Sequence, residues 1–119
     1  MEQFKCIYFQ TDSGRVPVQE FIDSLHQRTQ QKYFNVVKLL KIYGKKLPAP
    51  HADYLGDEIY ELRFTGVEGR VRILYFFYYE DKIILTNGFF KKRQRTPKTE
   101  IETARTRRAL YLAKIKNKT

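Results

Sequence analysis

Four basic side chains between residues 58 and 95 have the type and spacing needed for phosphate chemistry. Arg63 and Arg72 lie in two runs rich in β-branched and aromatic residues, and Lys91 and Lys92 follow a third such run. An arginine guanidinium matches phosphate oxygens, and a lysine crowded by cations has a lowered pKa and can exchange protons. RNA carries its own nucleophile, the ribose 2′-OH, so such cations could assist its cleavage. The residues alone leave cleavage and simple phosphate binding equally open.

The positions of these cations depend on a small predicted sheet. The runs Ile59–Phe64, Val71–Tyr79 and Ile83–Phe90 are bounded by turn residues, which predicts three strands. Their short connections favour an antiparallel meander. In the first strand, alternation places Glu61 and Arg63 on a polar face opposite an apolar face. The expected result is a cationic cleft across the sheet.

The rest of the chain predicts one further strand and three helices. Residues 3–10 alternate as a strand does, and Val16–Leu25 has the apolar spacing of a helix. A second helix is expected to be capped by Thr29 and to end at Gly44, and a final helix to begin at Pro97. Two prolines in residues 45–55 predict an irregular stretch. The fold class is therefore α+β in the order β-α-α-β-β-β-α: a small antiparallel-rich sheet, an N-terminal helical hairpin and a C-terminal helix, in a single domain covering residues 1–119.

The net charge of +10 is concentrated at the C-terminal end. Residues 91–119 hold eleven Lys/Arg and two Glu, whereas residues 1–90 are nearly neutral. This asymmetry favours a polyanionic partner, although a merely solvated basic face is the alternative. No apolar run approaches the roughly 20 residues of a membrane span, and the N-terminus lacks a secretory pattern. We expect a cytoplasmic protein that does not bind membranes.

Familiar catalytic and metal-binding motifs are absent from the sequence. It contains no G-x-x-x-x-G-K loop, H-x-x-x-H pair or G-x-S-x-G elbow. Cys6 is the one cysteine, so neither an internal disulfide nor a metal site based on cysteine is expected. His51, in the proline-containing stretch, could be a general base or an RNA-stacking ring, but loop histidines are often only solvated. We therefore expect neither a metal nor a cofactor.

A longer pattern resembles a known toxin family. The sequence contains L-G-D-x-x-Y-E-L-R, then R-x-x-Y-F-F, then G-F-x-K-K, then T-P-x-x-E-I-x-x-A. Together these motifs cover about half the chain. They resemble the HigB-type toxins, including their phage-derived relatives, within the RelE/ParE superfamily.

The resemblance implies an activity and its partners. It implies a RelE-like fold and a metal-independent, ribosome-dependent mRNA endonuclease, an mRNA interferase, of a type II toxin–antitoxin system. The implied partners are a helix-turn-helix antitoxin of HigA type, the 70S ribosome and mRNA. The resemblance implies catalytic roles for Arg63, Arg72, Lys91 and Lys92 and phosphate binding by Arg70 and Arg95. Their charge adds Arg93, Lys45 and Lys46 as RNA- or phosphate-binding candidates. The candidates for proton transfer are Tyr54 or His51, with Lys92 as a further one.

Two other functions fit the same sequence. The ParE branch of the superfamily shares the fold and inhibits DNA gyrase without cutting RNA. A non-catalytic RNA- or ribosome-binding module would use the same cations only for binding. The L-G-D and G-F-x-K-K motifs favour the HigB branch over the ParE branch.

Overall fold

The computed structural model describes residues 3–118, which form five strands and three α-helices. In chain order these are β1 (Lys5–Tyr8), α1 (Pro17–Asp23), α2 (Gln27–Tyr43), a short 3₁₀ turn (Gly44–Lys46), β2 (Ala52–Gly56), β3 (Ile59–Gly66), β4 (Gly69–Tyr78), β5 (Lys82–Phe90) and α3 (Lys98–Asn117). None of the helices in this part of the chain has the length and apolar content to cross a membrane.

The five strands form one sheet in the order β1-β5-β4-β3-β2. Strands β2 to β5 pair antiparallel with their neighbours, as short turns require, and β1 pairs in parallel with β5. The predicted α+β class and the meander of β3, β4 and β5 are confirmed.

Helices α1 and α2 cover one face of the sheet. Their apolar stripes, which include Val18, Ile22 and Leu40, are almost completely buried against Leu62 and Ile73 of the strands. This packing is the main core of the molecule, and it fits the helical spacing in the sequence.

Helix α3 covers the opposite face, which corrects the expectation of an open polar surface there. Ala104 of α3 is fully buried on Ile59, Leu74 and Phe76, and Tyr111 packs edge-on against Phe76. The face that carries Arg63 is thus apolar and covered over much of its area. The charged side chains Arg63, Arg72 and Lys91 cluster at one end of the sheet, which places the candidate site at that end.

Most of strand β2 lies in the stretch predicted to be irregular, and that prediction was wrong for residues 52–55. Pro48 and Pro50 precede the strand, so neither has to supply a hydrogen bond to the sheet. The strand pairs with β3 on one side only, at the edge of the sheet. A short edge strand directly after two prolines is compatible with their restrictions.

Helix α2 begins at Gln27 and is capped by His26, not by Thr29 as predicted. The His26 Nδ1 atom accepts a hydrogen bond from the Arg28 backbone N–H at 3.0 Å. Thr29 is fully buried and donates its hydroxyl to Glu68, beyond the end of β3. Its role is therefore to join the helix to the β3–β4 turn.

Candidate active site

A buried carboxylate, Glu61 of β3, lies at the centre of the predicted cationic region. Its side chain is completely buried. The Oε1 atom accepts a hydrogen bond from Arg63 Nε at 2.9 Å and lies 3.7 Å from Arg72 Nε. The Oε2 atom accepts a hydrogen bond from the Thr96 hydroxyl, in the segment that leads into α3. One carboxylate therefore bridges two arginines and the start of the C-terminal helix.

The strand register explains why the two arginines meet. Arg63 of β3 is directly opposite Arg72 of β4, so their side chains leave the same face with Cβ atoms about 5 Å apart. Glu61 precedes Arg63 by two residues and shares that face. Two like charges this close repel each other, and the carboxylate between them compensates part of that repulsion.

Lys91 extends this cluster from the end of β5. Its backbone N–H donates to the Arg70 carbonyl at 2.8 Å, which continues the pairing with β4 past the end of the strand. The residue is buried, and burial lowers the pKa of its ammonium group. The charge of Glu61 opposes this shift, whereas the three nearby arginines add to it. A lysine in this setting releases its proton more readily than a solvated one.

Arg72 is the most enclosed arginine of the cluster, with 8% of its surface exposed. Its Nη1 atom donates to the Val71 carbonyl at 2.9 Å, while the buried Nε atom has no hydrogen-bond partner. Burial lowers the pKa of the guanidinium group, and the charge of Glu61 counteracts that effect. A buried N–H group without a partner costs folding free energy, which is typical of functional positions.

Two cavities meet at Arg63. The first, the α3 cavity, has a volume of about 360 Å³ and is lined by Arg63, Lys91, Arg95, Thr96 and Lys98, among others. The second, the α2 groove, has a volume of about 550 Å³ and runs between α2 and β3. Arg63, Arg72, His51 and Phe64 line that groove together with Lys32 and Asn35 of α2. Arg63 therefore borders both a strongly cationic cavity and a groove with aromatic and amide side chains, whereas Arg72 lines only the groove.

The remaining predicted cations near β4 and β5 lie at different distances from the two cavities. Arg95 lines the α3 cavity, and Arg70 is exposed but close enough for its charge to affect Arg72 and Lys91. Lys92 and Arg93 are exposed and line neither cavity. The structure thus separates Lys91 from Lys92, which the sequence treated as equivalent.

Lys45 and Lys46 lie far from this cluster. They form the 3₁₀ turn after α2, and Lys45 Nζ is 5.3 Å from the centroid of the Phe77 ring. Phe77 is five residues beyond Arg72 along β4, a distance of about 17 Å at about 3.3 Å per residue. These two lysines contribute to the surface charge but are not brought to the arginine pair.

The two candidates for proton transfer lie on the same side of the sheet, the side covered by α1 and α2, but in different surroundings. His51 lines the α2 groove, and its carbonyl accepts the Arg63 backbone N–H at 2.8 Å. Tyr54 is half exposed, its ring packs 4.8 Å from Tyr60, and its hydroxyl accepts the Glu58 N–H at 3.1 Å. His51 is therefore close to the arginines, whereas Tyr54 is occupied in the β2–β3 turn.

Comparison with known proteins gives this chain a family. Residues 20–118 match the family described as "Phage derived protein Gp49-like". The chain belongs to this family. It is also 39% identical, over 54 residues, to the "Probable endoribonuclease HigB1" of two Mycobacterium tuberculosis strains, CDC 1551 / Oshkosh and ATCC 25618 / H37Rv. That alignment covers 45% of this chain and 42% of each relative, so the chain spans less than half the length of the curated relatives it matches. The predicted resemblance to HigB-type proteins is confirmed.

Sequence reasoning missed two residues of the Gp49-like site, Glu61 and Thr96. Glu61 had a signal, because its spacing of two from Arg63 puts both on one face of a strand. No sequence signal indicated that Glu61 would be buried, because its burial depends on α3 covering that face of the sheet. Thr96 was noted only for preceding a proline at the start of the helix.

The described residues offer no cluster for a metal ion. No group of three or more His, Cys, Asp or Glu side chains within residues 3–118 is arranged to hold one. The charged groups around the α3 cavity are mainly cations, which suits an anionic ligand.

Proposed function

We propose that this Gp49-like chain is the toxin of a type II toxin–antitoxin system and cleaves mRNA on the ribosome. The observation that carries the proposal is the convergence of Arg63, Arg72 and Lys91 around one buried carboxylate. These three cations outnumber the carboxylates of Glu61 and Asp53, and Arg95 and Lys98 of the same cavity add to the local excess of positive charge, which a phosphodiester complements. The name of the M. tuberculosis relatives, probable endoribonuclease, supports the same reaction class.

The proposed reaction uses the nucleophile of the substrate. The 2′-oxygen attacks the adjacent phosphorus, the bond from phosphorus to the 5′-oxygen breaks, and a 2′,3′-cyclic phosphate and a 5′-hydroxyl result. Negative charge grows on the non-bridging oxygens, where Arg63 and Arg72 stabilise it more strongly in the transition state than in the ground state.

Proton transfer is assigned to Lys91 and His51. One group must accept the proton of the 2′-hydroxyl, and another must protonate the departing 5′-oxygen. Burial lowers the pKa of Lys91, which makes its proton easier to remove, and His51 lines the groove on the other side of the arginines. This mechanism requires no metal ion.

The proposed partners follow from the charge of the chain. Residues 91–119, with eleven basic and two acidic side chains, would contact ribosomal RNA in the cytoplasm. A helix-turn-helix antitoxin of HigA type, encoded with the toxin, would restrain it. The HigB-type resemblance supports this pairing.

Cell-free translation of a defined mRNA tests the function. The protein is added with ribosomes, without ribosomes, and as the Arg72→Ala variant, and 5′ ends are mapped by primer extension. We expect cuts within the coding region that require both ribosomes and Arg72.

Other outcomes would replace the proposal. Intact mRNA with stalled ribosomes would indicate binding without cleavage. Intact mRNA with normal translation would reject ribosome-dependent cleavage and direct the next assay to DNA gyrase. Cleavage without ribosomes would retain the ribonuclease and remove the requirement for the ribosome.

A further inference from the structure

We infer that Glu61 is a positioning residue for RNA cleavage, holding Arg63 and Arg72 in place and tying them through Thr96 to the segment that carries Lys91. The inference rests on the proposed function, because it concerns the same site. Glu61 itself is completely buried, so it acts through these neighbours.

The hydrogen bonds of Glu61 give it this role. A buried carboxylate is tolerated when its oxygens are paired, and both Glu61 oxygens have partners. Arg63 binds one oxygen through Nε, so its guanidinium plane is fixed. Thr96 binds the other, which fixes the segment between β5 and α3 against the same carboxylate. Removing Glu61 would leave two neighbouring arginines with their mutual repulsion and nothing between them.

Glu61 is not needed merely to hold Arg63 in place, because Arg63 has a second carboxylate partner. Arg63 Nη2 already bonds Asp53 Oδ2 of β2 at 2.9 Å, and that carboxylate is half exposed. What Glu61 adds is contact with Arg72 and Thr96. Asp53 is therefore a matched control, since it carries the same charge and shares one partner.

Glu61 also acts on Lys91 through its charge. Burial and the nearby arginines lower the pKa of Lys91. The negative charge of Glu61 has the opposite effect, because it favours the protonated ammonium. Neutralising Glu61 therefore lowers the pKa of Lys91 further. The surrounding charges are Glu61 and Arg63 of β3, Arg70 and Arg72 of β4, and, lining the same cavity, Asp53 of β2, Arg95 and Lys98.

The test compares three variants of the full chain. Glu61→Gln keeps the shape and one acceptor oxygen but removes the charge. Asp53→Asn makes the same chemical change on the exposed partner of Arg63. Thr96→Val removes only the hydroxyl. Each is measured for single-turnover cleavage on programmed ribosomes against pH, for cooperative urea unfolding, and for the titration of Lys91 by NMR of ¹³C-lysine, assigned with Lys91→Met.

We expect Glu61→Gln to lose about 10²-fold in maximal rate, the loss that a misplacement of about 1 Å can cause. Its Lys91 titration, and the matching limb of the pH–rate profile, should move to lower pH. Asp53→Asn removes one partner of Arg63 but leaves Glu61 in contact with both arginines, so it should lose clearly less rate, and move the titration less, than Glu61→Gln. Thr96→Val should lose about fivefold, as expected for one hydrogen bond, without moving the titration.

Failure of the inference can be told apart from failure of the proposed function. If the wild type cleaves RNA but Glu61→Gln retains its rate and pH profile, the inference is overturned. If the wild type does not cleave, the proposed function fails, and an unshifted Lys91 titration in Glu61→Gln would independently refute the link between Glu61 and Lys91. Should Glu61→Gln not fold, Thr96→Val decides, because an unchanged rate there would contradict the role given to Glu61.

Discussion

Replacing Arg72 with methionine should separate catalysis from folding. Arg72 is buried next to Glu61, and Met fills a similar volume without the guanidinium group. If Arg72 stabilises the charge that develops on the phosphate, its loss should raise the barrier by about 3 kcal/mol and slow cleavage by about 10²-fold. We expect folding stability to change far less.

The small effect on stability follows from opposing contributions. At 3.7 Å, the gross attraction between Arg72 and Glu61 is about 4 kcal/mol at an effective dielectric constant of about 20. Against this, burying a guanidinium costs several kcal/mol, and its unpartnered Nε costs about 1–3 kcal/mol more. Glu61 keeps Arg63 and Thr96 as partners in the variant. The change in the free energy of unfolding should therefore stay within about 2 kcal/mol.

Lys5→Met is a charge-matched control for this variant. Lys5 is exposed on β1, level with Lys82 and Tyr78 in the register, and Tyr78 is six residues from Arg72 along β4. That separation of about 20 Å exceeds the Debye length of about 8 Å at physiological ionic strength. Lys5→Met should therefore cleave at nearly the wild-type rate.

Single-turnover cleavage on programmed ribosomes and urea unfolding measure the two effects of Arg72→Met. Equal losses of rate in Arg72→Met and Lys5→Met would show that general charge, not the site, is responsible. A loss of stability by Arg72→Met that is large enough to account for the lost activity would show that Arg72 is a structural residue.

Three further changes test the site and the fold. Lys91→Met should reduce the cleavage rate much more than Lys92→Met, because only Lys91 lines the α3 cavity; similar rates would contradict that distinction. Hydrogen bonds from the start of α2 lower the pKa of Glu68 below its ordinary 4.5, so its stabilisation is present above that value and lost as pH falls through the folded-state pKa; melting temperatures of wild type and Glu68→Gln should therefore converge in acid, and a constant difference would count against this. Gly88→Ala should destabilise by about 1–3 kcal/mol in urea unfolding, because the new Cβ would lie 2.4 Å from the Phe21 ring; an unchanged midpoint would mean that the ring can move away.

Local patterns were sufficient to predict most of the fold. The alternation in residues 59–90 and the short turns predicted β3, β4 and β5 in their antiparallel arrangement. Strand β2 was missed because two prolines dominate its approach and its five residues alternate weakly. The parallel pairing of β1 with β5 joins residues about 77 positions apart (Lys5 with Lys82), and no local pattern specifies such a register.

The site was predictable where it depends on strand register and not where it depends on α3. Arg63, Arg72 and Lys91 were selected from the sequence, and the structure brings them together. Glu61 was assigned to a polar face, and only the packing of α3 converts that face into a buried one. Lys45 and Lys46 were selected for charge alone, and charge does not specify where the 3₁₀ turn lies. The catalytic and binding roles of all these residues stay predictions.

The two populations of cations in this chain suit different tasks. The exposed charges among residues 92–118 are screened by salt, so they can attract a polyanion over several ångströms but cannot discriminate a transition state from a ground state. Arg63 and Arg72 are held by a buried carboxylate in a setting of low polarity, where an interaction with phosphate would be stronger and would need little reorganisation. Holding them there costs stability, which the apolar packing on both faces of the sheet offsets. The second helical layer, α3, is therefore part of the site, because it buries the carboxylate that orients the arginines.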